Sequence, residues 1–174
     1  MSTNFLSDEF KQVMLSDGIR TVMISINRYG CLNAMVNHSK EAINVFIPKV
    51  LPDGTEVAVI GESFCVGDFG TVAISNEITA IQPRAFSRAS VKKVIWPKSC
   101  PIIPERCFAF SSVENVLNLA SVKEIHILAF ARTKKLKEID LSASFLEYTA
   151  SNAFEGSNSK LKIYPPYYGA MQEA

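Results

Sequence analysis

Apolar positions along this chain repeat at a nearly constant interval. A phenylalanine preceded by a small residue recurs at intervals of 22, 22, 22 and 24 residues, at Phe64, Phe86, Phe108, Phe130 and Phe154. An aliphatic residue lies four or five positions before the first four of these, and a second apolar cluster, such as Val91, Val94 and Trp96, follows each one. A repeat of this length predicts one turn of a solenoid, in which stacked turns bury the phenylalanines as a ladder.

The first 56 residues do not follow this period, and they predict a separate cap over residues 1–56. Ser7 before an amphipathic segment and Gly18 after it predict a short helix over residues 7–15. Alternating apolar runs at 22–26, 32–36 and 43–47 predict an antiparallel meander. A fourth strand, over 56–60, should follow the turn at Pro52-Asp53-Gly54. Residues 57–166 then hold the repeats, and residues 167–174 form a tail.

The repeated segments resemble a known family. Ile81-Gln-Pro-Arg-Ala-Phe86 and Leu136-Lys-Glu-Ile-Asp-Leu141 are similar to the two halves of the BspA-like, or Treponema pallidum type, leucine-rich repeat. Ser151-Asn-Ala-Phe-Glu-Gly156 and Leu161-Lys-Ile-Tyr-Pro165 match the same halves. The resemblance implies a mostly-β fold, a short leucine-rich-repeat solenoid of about five turns with a small N-terminal α+β cap. It also implies surface and adhesion roles in microbes that interact with a host.

The composition is that of an ordinary globular protein, with 48% apolar residues and a formal net charge of +1 among 174 residues. A chain so close to neutral has no global field that attracts nucleic acid or an anionic membrane. No apolar run reaches the roughly 18 residues of a membrane-spanning helix. The first ten residues lack the basic start and apolar stretch of a secretory signal. We therefore expect a cytoplasmic protein, or an extracellular one if a leader has already been removed.

Candidate catalytic and metal-binding residues are sparse. His38 falls in a predicted turn and His126 beside a predicted ladder position, and no nucleophile-elbow, zinc-protease or phosphate-loop motif occurs. None of the four cysteines belongs to a C-x-x-C pair. Cys107 takes the place of the small residue before a repeat phenylalanine, which predicts a buried structural thiol. We expect no enzyme activity, no cofactor and no metal.

The outward positions of the predicted strands are the candidate binding residues. With a constant stacking interval, Ala73, Ile95, Leu117, Asp140 and Lys162 fall in one row. Exposed Ile95 and Leu117 would indicate a protein partner, although single exposed aliphatic residues are also normal on protein surfaces. The predicted partner-binding residues, from this row and the two beside it, are Lys93, Ile95, Leu117, Glu138, Asp140, Lys162 and Tyr164.

Basic residues cluster in repeats two and four, around Arg88 and Arg132. The two repeats are not adjacent, and Glu105, Glu114 and Glu124 lie between them in the sequence. Nucleic-acid binding needs a continuous basic stripe. We therefore expect these residues to form a solvated outer face, and nucleic acid is not the expected partner.

A short solenoid without catalytic motifs predicts a surface that binds another protein. We expect a non-enzymatic protein–protein recognition module whose strand face contacts a protein partner. Two alternatives stay open. One is a small inhibitor or regulator that covers the active or nucleic-acid-binding site of its target, and the other is a fragment of a microbial surface adhesin. Neither the partner nor the oligomeric state follows from the sequence.

Overall fold

The structure is a computed structural model that describes residues 11–16, 20–62 and 65–166. These residues form fifteen strands and one short 3-10 helix at Leu119–Ser121, and no helix among them is long and apolar enough to cross a membrane. The strands are β1 Lys11–Ser16, β2 Thr21–Ile26, β3 Cys31–Val36, β4 Ile43–Ile47, β5 Val59–Ile60, β6 Cys65–Val66, β7 Asp68–Ile74, β8 Ala80–Ile81, β9 Ser90–Ile95, β10 Ile102–Ile103, β11 Asn115–Leu117, β12 Glu124–Ile125, β13 Glu138–Asp140, β14 Tyr148–Thr149 and β15 Lys162–Tyr164.

Six parallel strands form the main sheet, in the order β15-β13-β11-β9-β7-β4. Each strand comes from a successive turn of the chain, so the sheet is the stack of turns that the repeat predicts. Val72 pairs with Val94, and Val94 pairs with Val116. All three side chains are buried, and the residues that alternate with them point outward. The predicted mostly-β solenoid of about five turns is confirmed.

The phenylalanines form the predicted ladder inside the solenoid. The rings of Phe86, Phe108, Phe130 and Phe154 stack with 5.1 Å between successive centroids and interplanar angles of 12°, 6° and 1°. Trp96 packs against Phe108 at 5.9 Å, and only Phe154 in this group is partly exposed. Full burial of one such side chain stabilises the fold by about 1.5–3 kcal/mol. The first repeat phenylalanine, Phe64, lies outside the described residues.

Six-residue bends join the short strands to the main sheet, at residues 83–88, 105–110, 127–132 and 151–156. In the first three bends the backbone is left-handed at two positions four residues apart, for example with φ of 60° at Arg84 and 59° at Arg88. Alternate amides of one bend donate to carbonyls of the next turn: Arg84 N to Glu105 O at 2.9 Å and Phe86 N to Cys107 O at 2.8 Å. Hydrogen bonds along the solenoid axis therefore join successive turns in the bends as well as in the sheets.

A smaller parallel sheet, in the order β10-β12-β14, continues the stack outside the main sheet. Ile103 pairs with Ile125, and Ile125 pairs with Thr149. The two isoleucines are buried, but Thr149 is exposed. The aliphatic position of the repeat is therefore replaced by a polar residue in the last described turn.

The N-terminal segment differs from the prediction at β1. This segment is a strand that pairs antiparallel with β2 over its full length. Val13 and Leu15 are buried, whereas Gln12 and Met14 are exposed, which is the alternation of a strand. The predicted helix is therefore wrong over residues 11–15, and residues 7–10 lie outside the described part of the chain. An isolated helix of this length is marginal, so pairing with a neighbouring strand decides the conformation.

A second correction concerns β4. The meander prediction holds for β2 and β3, which pair antiparallel, but β4 pairs parallel with β7 and adds a sixth strand to the main sheet. Its buried residues, Ile43, Val45 and Ile47, extend the inner apolar rows of the solenoid. The turn at residues 52–54 makes the predicted hairpin, closed by an isolated antiparallel bridge from Val50 to Glu56. The strand predicted after it covers only Val59–Ile60.

Candidate functional site

The outward side chains of the main sheet form one continuous row across its six strands, which we call the central row. On β4, β7, β9 and β11 the register aligns Phe46, Ala73, Ile95 and Leu117. On β13 and β15 the row continues with Asp140 and Tyr164. Because stacked strands lie about 4.8 Å apart, the row is about 24 Å long.

Four members of the central row are apolar or aromatic and reach solvent. Phe46 is 58% exposed, Leu117 41% and Tyr164 44%, while Ile95 is half-buried. Val94, the neighbour of Ile95 in the chain, is fully buried. Ile95 and Leu117 therefore point outward, on the side of the strands where the sequence predicts them.

The structure corrects the order of the predicted rows at the last strand. Asp140 pairs with Tyr164, and Glu138 pairs with Lys162. Tyr164 therefore belongs to the central row, and Lys162 belongs to the row beside it, the reverse of the prediction. The reason is that the paired positions Ile139 and Ile163 are 24 residues apart, whereas the prediction carried the 22-residue interval through to the end.

Phe46 is the member of the central row that the sequence argument missed. It lies in β4, and β4 was expected in the meander, so its outward residue had no place in the repeat alignment. The alternation of the buried residues Ile43, Val45 and Ile47 with exposed Asn44 and Phe46 was visible in the sequence. That alternation shows that Phe46 points away from the core, but not which sheet it joins.

A second row, which we call the flanking row, lies beside the central row and is polar. It holds Thr71, Lys93, Asn115, Glu138 and Lys162. At its β4 end the side-chain oxygen of Asn44 accepts a hydrogen bond from the Thr71 amide at 2.7 Å. Within the described residues, Lys93, Glu138 and Lys162 have no ion-pair partner. These three charges are therefore available to a partner.

Asp140 interrupts the apolar part of the central row, and its carboxylate is occupied locally. One oxygen accepts hydrogen bonds from the Ser142 amide at 2.9 Å and from the Ser142 hydroxyl at 2.6 Å. These hydrogen bonds hold the pKa of Asp140 below its ordinary value, because they favour the charged form. Asp140 therefore stabilises the turn after β13, whatever else it contacts.

The described residues contain no group of three or more side chains that could hold a metal ion. His126 Nε2 lies 2.7 Å from the Glu124 carboxylate, and the His126 ring meets the Tyr148 ring edge-on at 6.0 Å. Cys107 is fully buried, and burial raises the pKa of its thiol. A thiol with a raised pKa is a poor nucleophile, so Cys107 has the structural role that its position in the repeat predicts.

Comparison with known proteins agrees with this architecture. The family model described as "BspA type Leucine rich repeat region (6 copies)" matches residues 59–166. No curated protein matches the chain. One solved structure, "The Crystal structure of Pneumococcal vaccine antigen PcpA", superposes with a TM-score of 0.49 at 15% sequence identity, over 86% of this chain and 48% of that one. The chain thus spans about half the length of the pneumococcal protein. Since the family model covers well over half of its residues, the chain belongs to the BspA-type leucine-rich repeat family.

Proposed function

We propose that this chain is a non-enzymatic protein-recognition module that binds its partner through the central row. The observation that carries the proposal is the continuity of the row, which places Phe46, Ile95, Leu117 and Tyr164 in one line across six stacked strands. Scattered aliphatic residues on a surface are ordinary, but an aligned set with aromatic ends is typical of a binding surface. Proteins built from stacked repeats use such extended surfaces for recognition.

The chemistry of the two rows describes the partner that fits. Exposed aromatic and aliphatic side chains, here Phe46 and Leu117, are the residue types that anchor a protein interface by filling apolar pockets. Lys93, Glu138 and Lys162 lie beside them with alternating charge. We expect a protein partner that presents apolar side chains to the central row and charges of the opposite order to the flanking row.

The test compares two aspartate substitutions at equally exposed aliphatic residues. Leu117→Asp changes the central row, while Ile102→Asp changes the outer side of β10, where Ile102 is 38% exposed against 41% for Leu117. Proteins from the native cell type that are retained by the wild-type chain should also be retained by Ile102→Asp and lost with Leu117→Asp. For a purified partner, Leu117→Asp should weaken binding about 30-fold, the effect of losing an interface residue worth about 2 kcal/mol.

Both variants should keep the melting temperature of the wild-type protein to within a few degrees, because both side chains are on the surface. A partner that binds Leu117→Asp as tightly as the wild type would refute the role of the central row. Phe46→Asp provides a second test at the other end of the row. Whether binding inhibits the partner, or attaches the protein to a host surface, stays a prediction that this pair of variants can also address in an activity or adhesion assay.

A further inference from the structure

A second exposed feature lies on the bends, away from the central row. Arg88, Phe110 and Arg132 occupy the same position in three successive bends, at intervals of 22 residues. All three are left-handed, with φ of 59°, 61° and 55°. All three are exposed, and Phe110 has 54% of its surface in solvent. We call this set the arginine–phenylalanine column.

The two arginines hold the ring of Phe110 between them. The guanidinium carbon of Arg88 lies 5.5 Å from the ring centroid, and that of Arg132 lies 5.7 Å from it. They approach from opposite sides, because the bend that carries Phe110 stacks between the bends that carry the arginines. The Arg88 amide donates to Ala109 O at 2.9 Å, and the Phe110 amide donates to Ala131 O at 2.8 Å. The backbone therefore fixes the spacing of the column.

Neither arginine of the column is neutralised by an acidic side chain within the described residues. The arginines four positions earlier in the same bends behave differently. Arg84 pairs with Glu62 at 3.2 Å, and Arg106 pairs with Glu105. Stacking on a ring orders a guanidinium group while leaving its N–H edges for another acceptor. The column is thus a pair of ordered cations whose hydrogen-bonding edges face solvent.

The acidic residues that separate repeats two and four in the sequence do not separate these arginines in space. Glu114 is bound by Lys137 at 2.5 Å, and Glu124 lies against His126 at 2.7 Å. The position between the two arginines is taken by Phe110 instead. The sequence argument counted charges along the chain, whereas the bend places every twenty-second residue side by side.

We propose that the arginine–phenylalanine column binds an acidic segment of a protein, with one carboxylate on each arginine. Successive rings of the ladder are 5.1 Å apart, so side chains two turns apart are separated by about 10 Å, two spacings of stacked strands. A polyproline II segment brings side chains three positions apart to the same side, about 9 Å from each other. The matching ligand is an extended segment with acidic residues at positions i and i+3.

The geometry disfavours single-stranded nucleic acid as the ligand. Sequence-tolerant binding of single strands relies on bases that stack on exposed aromatic faces. Each face of the Phe110 ring already carries a guanidinium group, so no face is left for a base. The acidic segment needs only the outer edges of the two guanidinium groups, which it can contact in a bidentate manner.

The experiment measures fluorescence anisotropy of a labelled Glu-Pro-Pro-Glu-Pro-Pro-Glu peptide against the full chain. A peptide with glutamine in place of each glutamate is the control ligand, and Arg84→Ala, which removes an already paired arginine, is the control variant. Arg88→Ala and Arg132→Ala should each weaken binding of the glutamate peptide about fivefold, the upper end for an exposed ion pair. Phe110→Leu should also weaken it, since it keeps both charges but removes the surface that orders them.

Three results would overturn the proposal. The first is equal binding of the glutamate and glutamine peptides. The second is a loss with Arg84→Ala as large as with Arg88→Ala, which would indicate a general charge effect. The third is tighter binding of a single-stranded oligonucleotide than of the glutamate peptide. Circular dichroism of each variant checks that it is folded. Leu117→Asp should leave peptide binding unchanged, so this test is independent of the central row.

Discussion

The phenylalanine ladder allows a quantitative test of how the solenoid is held together. Phe108 is fully buried and stacks on both sides, against Phe86 at 12° and Phe130 at 6°. Phe154 is partly buried and has one ring neighbour within the described residues. Replacement of either residue by leucine keeps an apolar side chain but removes its ring contacts. The two substitutions therefore differ in how many stacked pairs they break.

The expected magnitudes follow from these contacts. Each aromatic pair contributes about 0.5–1.5 kcal/mol beyond area burial, so the two pairs of Phe108 account for about 1–3 kcal/mol. The smaller volume of leucine in a closed site adds about 1 kcal/mol. Phe108→Leu should therefore lower the free energy of unfolding by about 2–4 kcal/mol, and Phe154→Leu by about 1–2 kcal/mol.

The assay is urea unfolding followed by two signals. Trp96 is the only tryptophan in the chain and lies 5.9 Å from the Phe108 ring, so its fluorescence reports on the ladder. Circular dichroism reports on the strands. If both signals give the same midpoint, the unfolding is cooperative, and the difference in midpoint at constant slope gives the change in free energy.

A Phe108→Leu variant that costs no more than Phe154→Leu would refute this reasoning, because ring stacking would then add nothing to area burial. A double-mutant cycle between Phe108 and Phe130 isolates the pair directly. It should give a coupling free energy of about 0.5–1.5 kcal/mol. Coupling close to zero would lead to the same conclusion.

Three further predictions test the backbone and the buried thiols. A Cβ at Gly67 (φ 95°) would lie 2.4 Å from a backbone carbonyl, but Gly54 (φ 88°) faces open space; Gly67→Ala should therefore lower the melting temperature more than Gly54→Ala, which costs about 1 kcal/mol. Burial raises the pKa of Cys100 to about 11 from 9.0, so the unfolded chain loses this proton first; stability should fall by up to about 2.7 kcal/mol from pH 9 to 11, and Cys100→Ala should reduce that slope in urea titrations. Asn118 (φ 70°) donates to the Trp96 carbonyl at 2.7 Å; Asn118→Ala should cost about 1–3 kcal/mol in thermal unfolding, and Asn118→Gly less.

The inner face of the solenoid could be predicted from sequence because every turn must bury the same positions. Phe108 and Phe130 stack where the repeat aligns them, and Ile95 points outward because Val94 must point inward. The same logic failed at Tyr164, where the alignment assumed a constant interval. The longer last turns shift the register by two residues, which keeps the inward face correct but exchanges neighbouring rows.

Partner choice between strands could not be predicted, since alternation identifies a strand without identifying its neighbour. β4 is the case that matters most for the binding surface, because it brings Phe46 to the end of the central row. The arginine–phenylalanine column was hidden for a related reason. Left-handed backbone at Arg88 and Phe110 has no sequence signal, since glycine is the residue usually found there.

The hydrogen bonds between turns have a mechanical consequence. In the bends and in both parallel sheets they run along the solenoid axis, so a force that pulls the two ends of the chain apart along that axis breaks them one turn at a time. Each released turn of 22 residues adds about 7 nm of extended chain. A force trace should therefore show small, evenly spaced steps instead of one large rupture. A partner bound across several strands of the main sheet would hold those turns together and raise the force at which they separate.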